Sequence, residues 1–187
     1  MIFKYTFGDP FPTEAVVLDI PAADEPLFFF SLTGDGAFTC LLEEQDIVYG
    51  LGEQIRGINK RGWQYVSFNS DDPDHQEDTR SLYGSHNFIM IRSGKDTFGA
   101  FFDFPGAVEF DIGYTRRDTM KVRPASPDLD LYIITGESEK DIVTQFRRMI
   151  GKSYLPPLWA LGYGQSRWGY KCEEDIREVA ARYQEAD

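Results

Sequence analysis

The adjacent carboxylates Glu43-Glu44, Asp71-Asp72 and Glu173-Glu174, and two histidines, His75 and His86, are groups whose types suit proton-transfer chemistry. Two carboxylates that work together must converge on one point, with one donating a proton while the other accepts one or attacks. Adjacent side chains in a strand or helix point in different directions. A chain with 31 acidic residues will contain such neighbours by composition alone, so none of the three pairs reads as a catalytic dyad. Aspartate before proline is a common turn cap, which is the plain reading of Asp71 or Asp72 ahead of Pro73. A histidine with a carboxylate can run acid–base chemistry, but His75 reads as a loop residue and His86 as a hydrogen-bonded one. Cys40 and Cys172 have no histidine neighbours at metal-ligand spacing, so both are expected as free thiols and no zinc or other cofactor is expected.

The elements that would position these groups are mostly strands. Fifteen Phe and ten Tyr are interleaved with glycine and proline turn signals, a composition suited to sheets. Short apolar and aromatic runs recur at 27–32, 37–42, 64–68, 87–92, 97–102, 107–112, 119–122 and 129–134, and predict strands. Thr33-Gly34-Asp35-Gly36 and Ser93-Gly94-Lys95-Asp96 predict hairpin turns. Strands this short and this regularly spaced predict a β-sandwich over 1–135.

After Gly136 the pattern changes. Ser138 can cap a helix whose residues Ile142, Val143, Phe146, Met149 and Ile150 fall on one face, closed by Gly151. Tyr154-Leu155-Pro156-Pro157 forces extended backbone, so 136–157 reads as a linking helix and connector. The run Leu158–Tyr163 predicts a strand, and a last helix follows. It carries Glu173, Glu174 and Asp175 at its positive end and an apolar stripe of Ile176, Val179, Ala180 and Tyr183. One strand and one helix with apolar faces are half of a βαβ unit and cannot close their own core. The chain is therefore expected to be part of a longer protein, or this piece is expected to dock on the sandwich or on another copy of itself.

A formal net charge of −12 with no local basic cluster argues against nucleic acid as a partner. No stretch reaches the length of a membrane span, and Met1–Thr6 lacks the apolar core of a signal peptide. A cytoplasmic protein without membrane contact is expected.

Three stretches resemble the α-glucosidases of glycoside hydrolase family 31. They are Val48-Tyr49-Gly50-Leu51-Gly52-Glu53-Gln54 with Asn59-Lys60-Arg61-Gly62; Asn69-Ser70-Asp71-Asp72-Pro73 running on to Ser81-Leu82-Tyr83-Gly84-Ser85-His86-Asn87-Phe88; and Pro156–Tyr163 with Gln165–Tyr170. They occur in the family's order and cover the chain from Val48 onward.

The resemblance implies a mainly β chain: a galactose mutarotase-like sandwich, a linking helix, and over 158–187 the first strand and helix of a truncated (β/α)8 barrel. It also implies a function, the substrate-gating part of a retaining enzyme that removes terminal α-linked glucose from oligosaccharides. By the family's pattern, Asp71 sits on a sandwich loop that reaches the terminal glucose and would accept sugar hydroxyls. Trp168 would be an aromatic wall at the end of the first barrel strand, the end where barrel active sites form; packing between barrel and sandwich is its plainer role. The family's two catalytic aspartates have no counterpart in residues 1–187, so no catalytic residue is expected here and the chain alone should be inactive. Its partners would be the α-glucoside and the rest of the barrel. A stand-alone carbohydrate-binding sandwich is the alternative reading.

Overall fold

The computed structural model describes residues 1–94 and 96–186. Ten strands precede or surround the segments that matter for function: β1 (Ile2–Phe7), β2 (Ser31–Leu32), β3 (Phe38–Leu41), β4 (Ile47–Gly52), β5 (Trp63–Ser67), β6 (Ser85–Arg92), β7 (Thr97–Asp103), β8 (Val108–Ile112), β9 (Thr119–Pro124) and β10 (Leu129–Thr135). They form two five-stranded antiparallel sheets, ordered β1-β10-β7-β6-β4 and β2-β3-β9-β8-β5. The expected sandwich is therefore present.

Alternation along the strands explains the layering. Phe98, Ala100 and Phe102 of β7 and Leu131 and Ile133 of β10 point into the space between the sheets, where they meet Phe38, Val108, Phe110, Met120 and Val122. The alternate residues of the same strands, Phe101, Tyr132 and Ile134, face outward and are covered by helix α1 (Glu139–Met149). The Ser138 hydroxyl accepts the Asp141 N–H at 3.2 Å to cap that helix, and Gly151 closes it at φ +83°, a conformation glycine adopts without steric cost. Ile142 and Met149 are fully buried. Close approach demands Gly99, because a Cβ there would lie 2.9 Å from Ile142 and Phe88.

Four expectations change. The run 27–32 yields only the two-residue β2, because Phe29 adopts φ +64° to stack its ring 3.8 Å from Phe98, and a left-handed residue breaks the strand. Strands β1 and β4 form without having been anticipated; β4 carries a bulge between Gly50 and Gly52, which interrupts its pattern. Val143 is 40% exposed rather than part of the buried stripe of α1. Leu158–Leu161, expected as a strand, is a short 3-10 helix; a parallel strand needs hydrogen-bonding neighbours that residues 153–186 do not contain.

Both hairpin turns fall where expected. Thr33 donates its N–H to Ala37 at 2.8 Å. Ser93 donates to Asp96 at 3.2 Å, and Lys95 lies outside the described residues. The chain divides into two compact units, residues 1–152 and the segment from Ser153 onward, so α1 belongs with the sandwich. The second unit holds the 3-10 turn and helix α2 (Glu173–Ala186), in which no residue is buried.

Candidate functional site

The connection from β5 to β6 is a 17-residue excursion, Phe68 to Gly84, tied at its base. Val66 and Ser70 donate their N–H groups to the carbonyls of Arg80 and Leu82, at 2.8 and 2.9 Å. The Asn69 side-chain oxygen accepts Ser85 N–H at 2.8 Å, the Ser81 hydroxyl donates to the Phe68 carbonyl, and the Glu53 carboxylate accepts Gly84 N–H at 3.0 Å. Leu82 is buried and anchors the returning limb. These contacts turn a long loop into a braced projection, and a braced loop can hold a side chain in one place.

Within the projection the two adjacent aspartates do different work. Asp72 Oδ1 accepts the N–H of Asp74 at 3.0 Å, an Asx turn around Pro73, and the Asp72 carbonyl meets His75 Nδ1 at 3.2 Å. Thr79 closes the next turn by accepting Gln76 N–H at 2.8 Å. Asp71 is exposed and takes no part in these turns; its carboxylate lies beside the Tyr83 hydroxyl of the opposite limb. Tyr83 is held above the usual phenol pKa, first by partial desolvation and then by the charge and hydrogen bond of Asp71, with Asp72 and Glu53 adding to the negative field. The phenol therefore stays a donor at neutral pH. A carboxylate offers about four acceptor positions, so Asp71 beside Tyr83 keeps capacity for hydroxyl groups of a ligand. Tyr83 lay inside a motif of the sequence but had no role assigned there; its pairing depends on how the loop returns.

Trp168 belongs to the second compact unit, where it is 95% exposed in the turn before α2. Arg167 places its guanidinium 5.1 Å from the Tyr170 ring, and the Tyr163 and Tyr183 hydroxyls, 2.9 Å apart, both reach Gln165 Oε1. These contacts hold the segment around Trp168 without using its indole.

The other candidate groups separate as their local chemistry requires. Glu173 pairs with Arg177 one helical turn away, and Glu43 accepts from Gln45 at 3.1 Å, so neither acidic pair converges on one point. Cys40 is buried and Cys172 exposed, both as free thiols. Among the described residues no group of three or more His, Cys, Asp or Glu could hold a metal ion, and no helix is long and apolar enough to cross a membrane.

Comparison with known proteins gives this geometry a family. Residues 33–111 match the glycosyl hydrolase 31 N-terminal galactose mutarotase-like domain, and residues 153–187 match the glycosyl hydrolases family 31 TIM-barrel domain. The chain is similar to alpha-glucosidase 2 of Bacillus thermoamyloliquefaciens, 33% identical over 84% of this chain and 20% of that protein. It is similar also to an alpha-glucosidase of Saccharolobus solfataricus, 28% identical over 95% of this chain and 27% of that one. Among solved structures, the family 31 dextranase of Flavobacterium johnsoniae in complex with isomaltotriose superposes with a TM-score of 0.68 at 30% identity, over 87% of this chain and 20% of that one. The chain thus spans about a fifth to a quarter of the length of these relatives. With two domains of one family matched in chain order, on a sandwich of the matching architecture, the chain belongs to glycoside hydrolase family 31, of which it carries the N-terminal domain and the start of the barrel.

Proposed function

We propose that this chain is the substrate-gating portion of a retaining α-glucosidase acting on terminal α-linked glucose of oligosaccharides. The observation that carries the reading is the division of labour in the 68–84 loop: Asp72 is committed to the turn, and Asp71 presents an exposed carboxylate braced by Tyr83. An ionised carboxylate accepts two hydroxyl hydrogens at once and selects their geometry, which is the chemistry needed at the nonreducing end of a glucoside. Trp168, with its indole almost wholly exposed, would supply an apolar face for a sugar ring once the barrel is complete.

Retaining hydrolysis needs a nucleophilic carboxylate and an acid about 5 to 5.5 Å apart across the bond to be broken. By the family's pattern the nucleophile and acid belong to later barrel segments, and the rest of the barrel is the partner of residues 153–186. Purified chain incubated with an aryl α-glucoside should release no phenol above a buffer blank. Turnover that survives removal of host glucosidases would overturn the reading.

A further inference from the structure

The outer face of the first sheet ends in polar groups at the base of the Asp71 loop. The ladder between β6 and β7 closes with Phe88 opposite Phe101, and both rings lie against Phe146 of α1, at 4.0 and 5.4 Å. Two residues further along each strand the alternation returns to that same face, and His86 and Asp103 both line the space beyond the end of the ladder. Helix α1 does not extend over this end. A cleft of about 560 Å³ opens there, with Phe68, Asn69, Asn87 and Phe104 also in its walls; neither Asp71 nor Tyr83 lines it.

The polar groups of the cleft are fixed on one side and available on the other. Asp103 is 9% exposed and accepts the Thr13 hydroxyl through Oδ1 at 2.5 Å. Asn87 donates to the Phe104 carbonyl at 2.9 Å, and Asn69 accepts from Ser85 at 2.8 Å. Among the described residues these contacts engage one end of each group, which leaves Asp103 Oδ2 and Asn87 Oδ1 as acceptors and Asn69 Nδ2 as a donor. Ser85, also in the wall, buries a hydroxyl with no partner among the described residues. Phe68 is 54% exposed beside them.

A buried carboxylate argues against an anionic ligand, and the amide groups argue against a purely apolar one. An aromatic ring next to pre-oriented acceptors and a donor suits a neutral ring compound with an apolar face and a rim of hydroxyls, and a space of this size falls within the usual range of ligand pockets, about 300 to 1,000 Å³. We infer that the cleft bounded by Phe68, Asn69, His86, Asn87 and Asp103 binds a pyranose ring of a neutral saccharide, as a site separate from Asp71. The inference stands on the cleft's own chemistry and does not require that Asp71 touch substrate.

Titration of the isotopically labelled chain with glucose, maltose and isomaltose, followed by amide and imidazole chemical shifts, tests it. Saturable changes at millimolar saccharide should map to Asn69, His86 and Asn87. Phe68→Ala and His86→Ala, at exposed positions that leave the core intact, should each weaken the binding read at Asn69 and Asn87 about tenfold, the loss of roughly one favourable contact. Absence of saturable shifts, or shifts that Phe68→Ala and His86→Ala leave intact, would overturn the cleft assignment. Shifts centred on Asp71 and Tyr83 and abolished by Asp71→Ala would also overturn it, while supporting the Asp71 reading.

Discussion

Asp72 Oδ1 accepts the backbone N–H of Asp74 at 3.0 Å, and this one contact separates two aspartates that are adjacent in the chain. It commits Asp72 to the turn around Pro73. The neighbouring carboxylate of Asp71 is thereby left facing Tyr83 and solvent, braced but not consumed.

The Asp71–Tyr83 contact should be readable in the titration of the phenol. Asp71 favours the protonated phenol both by its charge and as hydrogen-bond acceptor, so the Tyr83 pKa is raised in the folded chain. Difference absorbance spectra against Tyr83→Phe should show Tyr83 ionising above the ordinary range near pH 10. Asp71→Asn should move that ionisation down. No change on substitution would mean that the two side chains do not meet.

Asp111 makes a pH-dependent contribution to stability. Burial alone would raise its pKa, but hydrogen bonds from the Thr115 hydroxyl, Gln64, and the backbone of Thr115 and Tyr114 hold it below the ordinary value. A carboxylate with a depressed folded pKa stabilises above its unfolded pKa, near 3.9, and that gain is lost as pH falls through the folded value. Asp111→Ala should therefore cost about 1 to 3 kcal/mol in urea unfolding at pH 7, and the gap from the parent chain should narrow at pH 3. A pH-independent gap would contradict the assignment.

The two cysteines should react very differently. Cys40 is 5% exposed and its thiol is pushed up to about 12, by burial first and then by the charge of Asp46, so almost no thiolate forms at pH 8. Cys172 is exposed. Iodoacetamide should alkylate Cys172 alone in the folded chain and both residues in denaturant, as read by peptide mass spectrometry.

Residues 153–186 leave Leu158, Trp159, Leu161 and Ile176 between 56% and 86% exposed. Apolar surface of this kind drives association when no partner covers it. Sedimentation of the chain should show mass rising with concentration, and replacing Leu158, Trp159 and Ile176 together with serine should abolish the rise. A strict monomer across the accessible range would contradict this.

The sandwich was legible because its central strands carry apolar residues on both faces, as in Thr97–Asp103 and Leu129–Thr135, and the capped helix because Ser138 and Gly151 mark its ends. Strand β4 was hidden by Gly50 and Gly52, whose positive φ values serve a bulge rather than a regular ladder. An aromatic run concealed the left-handed turn at Phe29, since nothing local in Leu27–Leu32 announces a stacking partner at Phe98. Of the loop, the turn role of an aspartate before Pro73 could be read from residue types. The brace from Tyr83 could not, because it depends on the return of a limb 12 residues away. The cleft beside His86 depends in the same way on a register between β6 and β7 that residue types do not specify.

The most direct test of the proposed gating role is kinetic, in a protein that joins this chain to a complete barrel. Removing a charged acceptor of sugar hydroxyls from a semi-enclosed site forfeits about 1.5 to 3 kcal/mol. Asp71→Ala should accordingly lower kcat/KM on α-linked glucose disaccharides by about one to two orders of magnitude, while Asp72→Ala loosens the loop and changes turnover far less. Equal and small effects at the two positions, or a larger loss at Asp72, would contradict the account and place the substrate contact on another residue.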